Sequence, residues 1–138
     1  MDKGKILEKV NSKSSNTLME TLNIEFTELG ENYAICKMPV NSSVHQPAGI
    51  LHGGATAALV ETVGSFASRY FIKDREMAIR GVEISTNHVK SISEGFVYAK
   101  ATNIHMGRTM QIWEVRVSDE QNNLISLGKL TTLAIKKK

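Results

Sequence analysis

This sequence lacks a second cysteine and any long uninterrupted apolar run, so it predicts neither an internal disulfide bridge nor a membrane span. A single cysteine, Cys36, occurs among 138 residues, so no internal disulfide can form. It lies in an alternating stretch, residues 33–38, which favours a small core side chain over a nucleophile. No run approaches the roughly 18 uninterrupted apolar residues of a membrane span, and residues 1–10 lack the apolar block of a secretory signal. We therefore expect a soluble, cytoplasmic protein with no membrane partner.

Signals for nucleic-acid and metal binding are also few. The net charge is only +3, and the lysines at 136–138, which we predict to be a solvated basic tail, contribute to it. The sequence has one tryptophan, no aromatic RNA-binding signature and no Cys/His spacing of a zinc site. We expect no nucleic-acid partner, no metal site and no cofactor. Scattered Arg and Lys side chains would still serve a small ligand that carries phosphates.

Length and composition indicate one domain over residues 1–138, with residues 1–16 as an N-terminal extension. A chain of this size buries roughly two-thirds of its unfolded surface, and 41% apolar with 22% charged residues is ordinary globular composition.

The order of the apolar patterns predicts an α+β fold. Short helical segments at 5–10 and 17–22 precede a strand pair between Ile24 and Val40, which turns at residues 30–32. After a loop over residues 41–52 comes a helix from Ala55 to about Phe71 that is apolar on many sides. Four β-type runs follow, at 77–88, 95–105, 110–118 and 124–135. Sequential strands with tight turns imply an antiparallel sheet, and such a helix must be wrapped by that sheet.

Glu61 is the only charged residue from Gly53 to Ser68. A carboxylate on an apolar helix loses several kcal/mol of hydration unless it is paired. A functional role explains it, and a salt bridge or an exposed helix turn is the alternative.

Glycines stand where the loop becomes the helix, at Gly53 and Gly54. They let a ligand approach backbone N–H groups at the positive end of the helix dipole, as an oxyanion site requires. A simple glycine-rich turn is the alternative. For His52, orienting the loop by a hydrogen bond is favoured over proton chemistry.

The spacing of Gly53 and Glu61 predicts a homo-oligomer. Eight residues on one helix separate them by roughly 12 Å, whereas a base or nucleophile must come within about 3 Å of the atom that the oxyanion donors hold. Two antiparallel copies of the helix around a two-fold axis bring Glu61 of one chain near Gly53 of the other.

The run from Gln46 to Ser65, together with residues 81–88 and 105–109, resembles the hotdog-fold thioesterases. The similar branch contains 1,4-dihydroxy-2-naphthoyl-CoA thioesterase, the enterobactin-pathway proofreading thioesterase, and the 4-hydroxybenzoyl-CoA and phenylacetate-pathway enzymes. The resemblance covers about residues 18–135. It implies a long central helix wrapped by a curved antiparallel sheet, and two chains that share a continuous sheet. It also implies dimers that usually pair into tetramers.

The resemblance also implies site residues for hydrolysis of an aryl or hydroxyaryl acyl-CoA. Glu61 would attack the thioester or activate water, and the Gly53 amide would polarise the carbonyl. Gln46 and His52 would position the acyl end, and Ser65 would hold the water or the intermediate. CoA is part of the substrate, and its implied contacts are Arg80, Asn87, His88, Lys90, His105, Gly107, Arg108 and Thr109. The residues alone predict only a hairpin turn at 107–108, with a solvated Arg108.

Two other functions stay open at the level of sequence. A hotdog dehydratase or hydratase would need a histidine set against an Asp or Glu in one pocket. A non-catalytic acyl-CoA-binding protein would make Glu61 incidental. Thiol release distinguishes a thioesterase from both.

Overall fold

The computed structural model describes residues 2–138. The helices are α1 (Lys3–Ser12), α2 (Leu18–Thr21) and α3 (Gly53–Phe71), and a short 3-10 turn lies at Ser42–Val44. The strands are β1 (Glu25–Leu29), β2 (Tyr33–Val40), β3 (Met77–His88), β4 (Gly95–Met106), β5 (Met110–Ser118) and β6 (Leu124–Lys136).

The six strands form one antiparallel, curved sheet in the order β1-β2-β4-β5-β6-β3, and α3 packs against it. Because α3 is apolar on several sides, only a sheet that curves around it can bury those sides. The α+β architecture expected above is confirmed, as is the hairpin of β1 and β2.

We expected strands that follow one another in the chain to pair. This expectation is confirmed for β4 with β5 and for β5 with β6, but it is wrong for β3, which does not pair with β4. Strand β3 pairs with β6 along its length and lies at the edge of the sheet, not beside β4. The connecting segment, residues 89–94, is not a tight turn. Its Val89 N–H donates to the Ile125 carbonyl, and its Ile92 carbonyl accepts from the Leu51 N–H.

Helix α3 begins at Gly53, two residues before the expected start, because His52 caps it. The His52 Nδ1 accepts from the Gly54 N–H at 2.7 Å. The C-terminal boundary also moves: Lys136 is the last residue of β6 and pairs with Met77, so the predicted tail of residues 136–138 is one residue too long.

The core lies between α3 and the concave face of the sheet. Leu59, Val60, Val63 and Ala67 are completely buried there, with Trp113. Cys36 is buried too, and burial raises the pKa of its thiol, which confirms a core side chain instead of a nucleophile.

The two edges of the sheet differ. At β1, the Asn11 side chain of α1 donates to the Phe26 carbonyl at 2.9 Å and accepts from the Phe26 N–H at 2.8 Å. Within residues 2–138, no strand pairs with the outer edge of β3. Val82 and Ile84 on β3 are 52% and 37% exposed. Natural sheets close long edges such as this one.

No helix within residues 2–138 has the length and apolarity to cross a bilayer.

Candidate active site

Glu61 sits at the middle of α3, half-buried, with its carboxylate held on the helix surface. Four residues further along, the Ser65 hydroxyl donates to the Glu61 Oε2 at 3.2 Å. Residues at this spacing share one face of a helix. No ion pair within 4.0 Å involves Glu61 among residues 2–138. The salt-bridge explanation of Glu61 therefore has no support in the described chain.

The backbone of β3 passes directly beside this carboxylate at Gly81. A Cβ on Gly81 would lie 2.6 Å from the Glu61 Oε2, closer than real Cβ contacts allow. The pairing of β3 with β6 also shifts register between Gly81 and Glu83. A glycine within a strand often marks a bulge or a close approach. That signal was present in the sequence, but our sequence analysis gave Gly81 no role.

A cavity of about 560 Å³ opens beside Glu61. Its aromatic wall consists of Phe26 and Phe66, whose ring centroids are 4.5 Å apart. The other lining residues are Val10, Met19, Thr62, Ser65, Arg69, Ala78, Ile79, Arg80 and Lys137. The volume suits a small organic group. Val10 of α1 and Met19 of α2 thus form part of the cavity wall.

The N-terminus of α3 forms a second, separate site. None of the hydrogen bonds within residues 2–138 uses the Gly53 N–H, whereas the next amide, at Gly54, is occupied by His52. The free N–H points out of the positive end of the helix dipole. It can donate to an anionic oxygen. Because the His52 Nδ1 accepts, a neutral His52 ring carries its proton on Nε2.

His88 packs against this amide from β3. A Cβ on Gly53 would lie 2.7 Å from the His88 Nε2, so only glycine fits there without a shift. The His88 Nδ1 is 2.7 Å from the hydroxyl of Ser126, which is completely buried. Neither His88 nor His52 hydrogen-bonds a carboxylate among the described residues. Among residues 2–138, neither His52 nor His88 therefore forms the histidine–carboxylate pair that the dehydratase alternative needs.

Gln46 completes the second site. Its side-chain oxygen accepts from the Ala48 N–H at 2.6 Å, which leaves its amide NH₂ available to a ligand. Gln46, Gly53, His88 and Lys90 line one cavity of about 300 Å³.

The structure thus divides the predicted catalytic residues into two groups. Glu61 and Ser65 line one cavity, with Arg80, while Gln46 and Gly53 line the other. One chain does not bring Glu61 to the Gly53 amide, because eight residues of helix, roughly 12 Å, lie between them.

The remaining predicted CoA contacts are spread along the surface. His105 is exposed near the end of β4, and Arg108 and Thr109 are exposed in the turn to β5. Gly107 and Arg108 line a further cavity of about 420 Å³. Asn87 is exposed on β3. Arg80, Lys90 and Arg108 form no ion pair within residues 2–138.

Residues 2–138 also hold no group of three or more His, Cys, Asp or Glu side chains that could bind a metal.

Comparison with known proteins identifies the family to which this chain is similar. A family model described as the thioesterase superfamily matches residues 48–126. The proofreading thioesterase EntH of Cronobacter turicensis is 42% identical over 91% of this chain and 91% of its own length. A solved thioesterase from Haemophilus influenzae superposes with a TM-score of 0.90 at 36% identity, covering 94% of this chain and 90% of its own. A mutant thioesterase from Pseudomonas aeruginosa gives 0.91 at 34% identity, covering 95% and 94%.

Proposed function

Because the chain belongs to the thioesterase superfamily and is a thioester hydrolase, we propose that it cleaves an aryl or hydroxyaryl acyl-CoA to the free acid and CoA. Glu61 is the nucleophile or general base in this proposal. The hotdog fold is shared with the solved thioesterases.

The observation that carries the proposal is the position of Glu61. The carboxylate, bound by the Ser65 hydroxyl, opens onto a cavity whose aromatic wall suits a planar acyl group. Aromatic rings stack favourably at such centroid distances. Glu61 is the only charged residue from Gly53 to Ser68. A carboxylate that lies beside a cavity with apolar walls can act as the nucleophile or base of acyl transfer at neutral pH.

Two chemical routes fit these residues. In one, a Glu61 oxygen attacks the thioester carbonyl, the C–S bond breaks, and water then hydrolyses the mixed anhydride. In the other, Glu61 takes a proton from water as the water attacks the thioester carbonyl, and the C–S bond then breaks to release CoA as the thiol and the free acid. In both, the Gly53 N–H stabilises the negative charge that develops on the carbonyl oxygen. Ser65 holds the water or the intermediate, while Gln46 and His52 position the acyl end.

Assembly is part of the proposal, because the two half-sites belong to different cavities. We place Glu61 of one chain against Gly53 of a second through pairing of β3 edges. The closed edge at β1 and the bare edge at β3 support this choice. Exposed apolar side chains on the inner strands β4, β5 and β6 support further pairing of dimers into tetramers; they are Ile104, Met110, Leu127 and Ile135.

CoA binding is assigned to the exposed residues that the family resemblance implies. Arg80, Lys90 and Arg108 would bind the phosphates through charge-assisted hydrogen bonds. The remaining proposed contacts are Asn87, His88, His105, Gly107 and Thr109.

We further propose that residues 1–138 act as one domain in the cytoplasm. Turnover would need no metal or other cofactor and would involve no nucleic acid; activity that survives exhaustive chelation would support the first of these expectations.

The test of Glu61 is Glu61→Gln. The amide keeps size and hydrogen bonding but removes the basic oxygen, so we expect turnover of the best aryl acyl-CoA to fall at least about a hundredfold. Thiol release measures it, with light scattering as a check on assembly. The matched control is Glu25→Gln on β1, at the opposite edge of the sheet from β3, where only a surface ion pair with Lys37 is lost. Removing a general base should cost more than about tenfold in turnover. A Glu61→Gln variant that keeps more than about a tenth of wild-type turnover would therefore show that Glu61 is structural.

A further inference from the structure

Arg69 continues the helix face that carries the catalytic carboxylate. It follows Glu61 by eight residues and Ser65 by four, and all three line the cavity of about 560 Å³. Helical side chains lean toward the N-terminus of their helix, so the Arg69 side chain extends toward Ser65 and Glu61. Arg69 and Glu61 therefore line the same cavity from one face of α3.

The Arg69 guanidinium lacks a partner. Its Nη1 is enclosed and makes no hydrogen bond within the described residues. No ion pair there includes Arg69 either. A buried donor without an acceptor costs about 1–3 kcal/mol, and more for a charged group. Such an exception in a folded protein calls for a missing partner.

The charge of the cavity indicates what that partner is. Three cationic side chains, Arg69, Arg80 and Lys137, line it against a single carboxylate. Apart from Thr62 and Ser65, the rest of the wall is aromatic or apolar and includes the Phe26–Phe66 pair. Such a wall suits an aromatic ring, and an oxygen substituent on that ring would supply the acceptor that the Arg69 guanidinium lacks.

We propose that Arg69 determines acyl specificity by binding an acceptor oxygen, most strongly a carboxylate, on the part of the acyl group remote from the thioester. The inference rests on the proposed function, because it assumes that the acyl group enters beside Glu61. A guanidinium binds a carboxylate through two parallel charge-assisted bonds. A site built to hydrogen-bond a substrate oxygen discriminates against analogues that lack it.

The experiment compares three thioesters, benzoyl-CoA, 4-hydroxybenzoyl-CoA and 4-carboxybenzoyl-CoA, with the wild type and Arg69→Met. We expect wild-type kcat/KM to rise in that order. Arg69→Met, which keeps an unbranched apolar stem, should lower kcat/KM for the carboxylated substrate at least about tenfold while changing benzoyl-CoA little. Arg69→Lys should recover part of the preference, since it keeps charge without the planar fork. Arg116→Met, at an exposed position of β5, is the matched control.

Two results would overturn the inference. One is an equal loss for all three substrates in Arg69→Met, above all if light scattering shows dissociation, because the missing acceptor would then belong to a partner subunit. The other is a wild type that prefers benzoyl-CoA. In both cases hydrolysis of benzoyl-CoA would leave the proposed function standing. If none of these nor any other acyl-CoA releases thiol, the proposed function fails and this inference fails with it.

Discussion

At Glu61 the carboxylate lies against the Gly81 backbone, so a side chain added at Gly81 would displace the carboxylate. The close approach of the Glu61 Oε2 requires a residue without a Cβ on β3. The Ser65 hydroxyl holds the same oxygen from the helix side. Two elements therefore hold the carboxylate, as its proposed catalytic role would require, because displacements of about 1 Å can cost a hundredfold in rate.

Gly81→Ala tests this fixation. The new methyl group would displace the Glu61 carboxylate, so we expect turnover to fall at least about tenfold with little change in the folded state. The double variant Gly81→Ala/Glu61→Asp provides the control, because the shorter carboxylate leaves room for the methyl group. Its loss should be smaller than the product of the two single losses, as expected for residues in contact. Multiplicative losses in thiol-release assays would contradict the proposed contact.

The sequence alone indicated that Glu61 is unusual, but it could not predict which residues of the folded chain surround the carboxylate. Its isolation among apolar residues is a local property, visible along the chain. The roles assigned to Gly81 and Arg69 depend on where the fold places them. Gly81 approaches Glu61 from another element, and Arg69 lines a cavity with residues that are distant in sequence. The same holds for His88, whose approach to Gly53 requires β3 and the start of α3 to meet.

At the scale of elements, a buried polar chain ties α3 to the sheet. The Trp113 Nε1–H donates to the Ser68 Oγ at 2.6 Å, and the Thr132 hydroxyl donates to the Gln111 Oε1 at 2.8 Å. Because Thr132 has one proton, Ser68 is the donor in the 2.7 Å contact between their hydroxyls. The Gln111 Nε2 then donates to the Gly107 carbonyl at 3.2 Å. The chain thus runs from the core to the turn proposed to contact CoA.

Ser68→Ala should destabilise the fold by about 1–3 kcal/mol, because the Trp113 N–H would be left buried without an acceptor. Urea unfolding at one fixed protein concentration measures this loss, since assembly makes stability depend on concentration. Ser15→Ala, an exposed serine between α1 and α2, should change the free energy of unfolding by less than about 0.5 kcal/mol. Equal effects of the two substitutions would show that the polar chain contributes nothing.

The elements themselves were largely predictable, and the exception has a physical cause. Alternation gave β2, β3 and β5 with their observed limits, and the uninterrupted apolar run indicated α3. The position of β3 at the far edge was not predictable from alternation, which reports the face a side chain occupies but not the neighbouring strand. The buried Gln111 and Thr132 were also missed, because the acceptors that satisfy them come from other elements.

At the scale of the whole molecule, one chain keeps Glu61 and the Gly53 amide apart and leaves the edge of β3 without a partner strand among residues 2–138. These are independent observations, and the proposed two-fold pairing of chains would account for both. The sequence predicted the need for a second chain from helix geometry alone. It could not identify the surface that pairs, because that depends on which edge the fold leaves bare.

Mixing two defective chains tests whether the site is shared. Glu61→Gln lacks the carboxylate, and Gly53→Val covers the amide and collides with His88, where even a Cβ would lie 2.7 Å from the Nε2. In a mixed dimer, one site would carry both defects and the other neither. Equal co-expression gives half mixed dimers by random pairing, each with one intact site of two, so we expect thiol release at about a quarter of the wild-type rate. Each variant expressed alone is the control and should be nearly inactive. If Glu61 and Gly53 of the same chain served one site, every site in the mixture would be defective, and the mixture would be no more active than its parents.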